Sequence, residues 1–157
     1  VAGFDHGRFY RFGEGFMRGS LRARPDPALF DSAFPLARGE ATLDAPGRFT
    51  YDEGTRARDI VGTTYPPLKL VSDRLVGALA GFTGWTTYPV ELTGRDGEPL
   101  PGYHGFAVTG RLVEPDDWDG SDVFVTGEGA LTFVSEPVRD ALLAAGVKNV
   151  RLERAGA

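Results

Sequence analysis

A chain of 157 residues with 41 % apolar side chains can build one domain with a real core, whereas two separate cores would each be small. It contains no cysteine, which removes disulfide staples, thiolate nucleophiles, cysteine zinc sites and iron–sulfur clusters together. The net charge is −5, with nine basic and nine acidic side chains in residues 1–66 but eight basic against thirteen acidic in 67–157. That is the wrong sign for a chain whose direct partner is DNA or RNA.

In chain order, RFYRF at 8–12 reads as a short strand, closed by a GEG turn at 13–15. Asp26 and Pro27 have the chemistry of an N-cap and a first helical residue, so PDPALFDSAF at 25–34 opens one or two helical turns. RFTYDE at 48–53 alternates as a strand, and Tyr65-Pro66-Pro67 breaks regular structure. Leu68 to Val71 forms a strand, and Ser72 caps a helix whose apolar face is Leu75, Ala78, Leu79 and Phe82. Asp73 in its first turn complements the helix dipole, and Gly81 or Gly84 ends it.

A strand pattern resumes over 86–92, RDGEPLPG at 95–102 is turn chemistry, and a further strand runs from Tyr103 through Val108. Residues 88–113 therefore read as a central hairpin. The acidic loop EPDDWDGSD fills 114–122, and strands follow over 122–126 and 131–134 around a second GEG turn. Ser135 caps a second helix with Glu136 and Pro137 in its first turn and Val138, Ala141, Leu142 and Ala145 on its apolar face. Gly146 ends that helix, and Val150 and Leu152 alternate in a last strand.

Two stretches are nearly the same: LKLVSDRLVGAL at 68–79 and LTFVSEPVRDAL at 131–142. Val90-Glu91-Leu92 and Val150-Arg151-Leu152 extend the match past the helices. The expected fold class is a single α+β domain, residues 1–157. It holds two related strand–Ser-capped helix–strand units and a central hairpin over 65–157, with a strand- and turn-rich N-terminal segment over 1–64. Crossovers between parallel neighbours would be right-handed.

Over roughly residues 65–157 the ordered series Leu70, Val71, Ser72, Arg74, Leu75, Leu79, Pro89 and Val90, then Tyr103, Val113, Asp116, Asp119, Ser121 and Phe124, then Phe133, Val134, Ser135, Glu136, Val138, Arg139, Ala145, Gly146 and Leu152 resembles the immunity proteins of bacterial polymorphic toxin systems, the type best known from myxobacteria. GFAVTGRLV at 105–113 departs from the Asn-containing strand usual in that family. The resemblance implies a cytoplasmic protein that binds and neutralises a cognate toxin and has no catalysis or cofactor of its own.

The acidic loop is the expected contact surface for such a partner. Glu114, Asp116, Asp117, Asp119 and Asp122 surround Trp118, a combination suited to a basic toxin surface with an aromatic anchor. Asp117, Asp119 and Asp122 also fit part of a calcium loop, but the closing Glu is missing, so no metal is expected. No apolar run is long enough to span a bilayer, so no membrane partner is expected. The rival readings are an enzyme using His104 with Asp96, Glu98 or the acidic loop, and a ligand-sensing module with an enclosed apolar pocket. His6 and the Arg18, Arg22, Arg24 group read as surface residues. Ser72 and Ser135 are structural caps.

Overall fold

A computed structural model describes residues 6–112, 117–126 and 131–155. In chain order the strands are β1 (Phe9–Glu14), β2 (Arg22–Pro25), β3 (Gly47–Glu53), β4 (Ile60–Thr63), β5 (Lys69–Ser72), β6 (Trp85–Tyr88), β7 (Val90–Thr93), β8 (Tyr103–Val108), β9 (Arg111–Leu112), β10 (Val123–Thr126), β11 (Leu131–Ser135) and β12 (Val150–Arg154). The helices are α1 (Ala33–Ala37), α2 (Asp73–Leu79) and α3 (Glu136–Ala144). This is an α+β fold with two sheets, of order β12-β1-β11-β10-β9 and β6-β8-β5-β4-β2-β3-β7. No helix among the described residues is long and apolar enough to cross a membrane.

The inner faces of both sheets and the helices α2 and α3 share one core. Tyr10, Phe12, Val123, Val125 and Val134 come from the smaller sheet, Ile60, Val71, Phe106 and Val108 from the larger, and Leu75, Leu79, Val138 and Leu142 from the helices. The larger sheet is covered on its other face as well. There Leu29, Ala33 and Leu36, from the segment opened by Asp26, pack on Val61, Leu70 and Ala107. Strand β4 is consequently buried at every position, as a strand covered on both faces must be. The Asp26 carboxylate accepts from the Ala28 N–H at 2.9 Å, so the predicted cap is present.

The duplication is real in three dimensions. Strands β5 and β6 both run antiparallel to β8, which lies between them. Strands β11 and β12 both run antiparallel to β1, again in the middle. Each unit is therefore strand, Ser-preceded helix, parallel strand, with an antiparallel strand inserted. The two flanking strands are parallel but not neighbours. A hairpin partner completes each: Ile60 pairs Val71 as Val123 pairs Val134.

The register corrects the sequence match beyond the helices. Position for position, Trp85–Tyr88 (β6) is the counterpart of β12, and Val90-Glu91-Leu92 is not. The strand expected over 86–92 is broken at Pro89, which has no N–H to give a ladder. Its first half makes the expected hairpin with β8, while β7 leaves to pair with β3. The N-terminal segment is built into both sheets, since β1 is the central strand of the second unit and β2, β3 and β4 belong to the larger sheet.

Both helices end on a left-handed glycine, Gly81 with φ 87° and Gly146 with φ 70°. Phe82 consequently lies beyond α2. The next equivalent pair is Gly84 with φ 94° and Asn149 with φ 48°. Asn149 can take this backbone because its side chain is held: its amide donates to the Ile60 carbonyl at 2.8 Å and accepts from the Ile60 N–H at 3.1 Å.

Candidate functional site

Of the sequence-predicted contact loop, Glu114 and Asp116 lie outside the described residues. Asp117, Trp118 and Asp119 are exposed, but the described part of the loop, residues 117–122, is tied down by side-chain hydrogen bonds. The Asp119 carboxylate accepts from Ser121 Oγ at 2.5 Å, from the Ser121 N–H at 3.0 Å and from the Arg111 N–H at 3.1 Å. Partial burial pushes its pKa up, but these hydrogen bonds outweigh burial and hold it below the ordinary value. Trp118 packs edge-on against Phe9 at 5.2 Å, contacts Phe124 at 6.0 Å and donates its indole N–H to the Ser121 carbonyl. It keeps 37 % of its surface in solvent, so one side is anchored and the other faces outward.

Asp122 is half-buried and reaches across to the first unit. Its carboxylate accepts from both the N–H and the hydroxyl of Thr83, at 2.9 and 3.1 Å. Thr83 sits in the turn after α2, so Asp122 clamps the second unit to the first. The reciprocal clamp is Asp59, which is buried. Asp59 accepts from Ser72 Oγ at 2.6 Å and from the Lys148 N–H, in the turn after α3, at 2.5 Å. The two caps differ accordingly. Ser72 also accepts from the Leu75 N–H at 3.2 Å, as a cap should, whereas Ser135 occupies the cap position without a side-chain cap bond. The Ser135 hydroxyl lies instead toward Asp122, 3.4 Å from its Oδ1.

His104 does not meet the carboxylates considered for catalysis. Its Nε2 is 2.6 Å from Asp73 Oδ1, at the start of α2, and the Asp73 side chain is 73 % exposed. Glu98 is placed near the Tyr51 hydroxyl, at 3.5 Å. His104 and Tyr10 occupy equivalent positions on β8 and β1, opposite Val71 and Val134. In place of an acid, Tyr10 receives Arg139, which donates to its hydroxyl at 2.7 Å and lies over its ring at 4.5 Å. Among the described residues no group of acidic or histidine side chains has the spacing of a metal site.

A concave site forms where the two sheets face one another. A cavity of about 340 Å³ is lined by Phe34, Pro66, Pro67, Phe106, Val108 and Val125, with Ala37 and Arg38 of the α1 segment beside them. A second, polar cavity of about 230 Å³ is lined by Arg11, Glu14 and Arg151, among others. Lys69 and Thr132 line both. These two residues are equivalents in the repeat, at matching positions of β5 and β11 opposite Gly62 and Val125. The approximate two-fold relation thus passes through the cleft.

Lys69 makes no hydrogen bond or ion pair among the described residues; its ammonium lies 5.8 Å from the centre of the Phe12 ring. Burial lowers its pKa, against a smaller upward pull from Glu14. Glu14 lines the polar cavity with Lys69 and also lies 3.8 Å from Arg22 Nη1. Its carboxylate lies against Gly62, where any Cβ would collide with it. Sequence reading missed Lys69, Glu14 and Asp59. Only Asp59 left a signal, because Asp59-Ile60-Val61 and Asp122-Val123-Phe124 carry the repeat upstream of the strands where it was noticed.

Comparison with protein-family models and with curated proteins returns no match to this sequence.

Proposed function

We propose that this chain is a binding protein that neutralises a cognate bacterial toxin by occlusion, with no chemistry of its own, in the cytoplasm. The ordered residue series over 65–157 supports the reading. The observation that carries it is the pinned loop: Asp119 and Ser121 lock its backbone, and Trp118 is seated on Phe9 and Phe124 with one side outward. A contact surface ordered before binding loses little entropy on association. An acidic surface would also draw in a basic toxin face and speed encounter.

The structure-based division of labour selects the residue to change. Asp119 and Asp122 hold the loop and its neighbour, so reversing their charge would disturb the fold; Asp117 is exposed and is the position changed, with the variant's circular dichroism and melting checked against the parent. The experiment uses the product of a toxin-like reading frame encoded beside this chain. Binding is measured at several salt concentrations, and growth is followed with the two proteins co-expressed. The reading expects tight binding and protected growth, with Asp117→Lys slowing association roughly two- to tenfold at low salt. No binding and no protection would sink it. Unchanged association by Asp117→Lys would remove the loop from the interface.

A further inference from the structure

We propose that the inter-sheet cleft is a binding site for a small monocarboxylate with an apolar body, its carboxylate held by Lys69 and Thr132. The cleft is a separate feature from the loop, and the inference does not depend on toxin binding.

The shape comes first. The cavity of about 340 Å³ lies in the range of small-ligand sites, and its walls are mostly apolar, with Phe106, Val108 and Val125 forming the inner surface. Lys69 and Thr132 are the polar lining groups shared with the neighbouring polar cavity, and Arg38 is the third polar group in the lining. Lys69 and Thr132 stand where the apolar cavity meets the polar one, and neither side chain makes a hydrogen bond to a described residue. A site with donors where the two cavities meet and a mostly apolar lining fits an amphiphilic acid.

The charge of the ligand follows from what surrounds the amine. The Lys69 ammonium is partly buried and has no hydrogen-bond partner among the described residues, so a counter-charge would stabilise it. The nearby carboxylate, Glu14, is shared between two cations, since it lies 3.8 Å from Arg22 Nη1 and lines the polar cavity with Lys69. One ammonium and one hydroxyl can satisfy the two oxygens of a carboxylate. A dianion would need more donors and would be repelled by Glu14.

The repeat gives an independent argument. The two-fold relation pairs Phe12 with Phe106, and these aromatics face one another at 5.9 Å. It also pairs Lys69 with Thr132 and Glu14 with Val108, where the chemistry differs. The two halves keep the aromatic walls alike but diverge at the positions that would distinguish a ligand's head from its body.

The test uses octanoate as the probe, with octanol and octylamine as controls, followed by two-dimensional NMR of the full chain. The proposal expects saturable shifts confined to β5, β8, β10, β11 and the α1 segment. Lys69→Met should weaken octanoate at least about tenfold and Thr132→Val several-fold, and octanol should bind at least about tenfold more weakly than octanoate. Each variant's own spectrum shows whether it is folded, and Thr132→Val serves if Lys69→Met is not. Absence of saturable binding, shifts mapping elsewhere, equal affinity for octanol, or undiminished binding by the folded variants would each overturn it.

Discussion

Asp59 and Asp122 hold equivalent stations, and each carboxylate reaches the turn that follows the other unit's helix: Asp59 takes the Lys148 N–H and Asp122 the Thr83 N–H. The two halves are thus fastened by a pair of crossed polar clamps as well as by a common apolar core. Because Asp59 is 6 % exposed, its loss strands more buried donors than loss of Asp122. Asp59→Ala should cost about 2–4 kcal/mol and Asp122→Ala about 1–2 kcal/mol. Urea unfolding of both variants checks the order as well as the size.

The left-handed positions after the two helices should both be costly to change, for different physical reasons. Gly84→Ala places a Cβ against the Val123 carbonyl at a φ of 94° and should cost more than about 2 kcal/mol. Asn149→Gly improves the backbone fit but leaves the Ile60 N–H and carbonyl without their side-chain partner. The lost hydrogen bonds should dominate, at about 1–3 kcal/mol. Thermal unfolding of the two variants is the measurement. A stabilised Asn149→Gly would show that backbone strain outweighs the paired amide.

Asp119 sets an acid limit on the loop. Its folded pKa lies below the ordinary 3.8, so its ionised form stabilises the fold above that value. The contribution falls away as pH drops through the lower, folded value. Asp119→Asn should therefore be less stable than the parent at pH 7, with the gap closing toward pH 2. Chemical denaturation across that range would expose a constant gap, which would assign the effect to shape and not to charge.

Lys69 predicts a stability gain from losing a charge. A lysine with a lowered folded pKa carries its full burial cost while protonated in both states, below the folded pKa. The cost fades as pH rises toward the unfolded value of 10.5. Lys69→Met should accordingly stabilise by about 0.5–2 kcal/mol near neutral pH, with the advantage vanishing near pH 10 to 11. Thermal melts at pH 7 and pH 10 test both the sign and its disappearance.

Much of the scaffold was legible because its signals are local. Asp26-Pro27, Ser72 with Leu75 and Leu79, and Ser135 with Val138 and Leu142 sit within a few residues of what they organise. The partner of each strand was not legible. Nothing near Phe9–Glu14 says that it lies between β11 and β12, and Val90-Glu91-Leu92 resembles a strand whose place Pro89 prevents it from taking. The cleft was hidden for the same reason. Lys69 alternates between buried neighbours as any edge-of-core lysine would, and only the facing sheet sets it beside an apolar cavity. The acidic loop was visible as composition, but which carboxylates take structural hydrogen bonds depended on Thr83 and Arg111, both remote in sequence or folded back from another strand.

The position of β1 also has a consequence in time. During synthesis the first unit can assemble β4, β5, α2, β6 and β8 from one continuous stretch, whereas β1 must stay unpaired until β11 and β12 have been made. Joining β1 to β11 and β12 is a long loop closure, which slows folding and favours an early half-structure exposing Tyr10 and Phe12. Deleting β1 or β12 should therefore leave the first unit's pairing intact while opening the second.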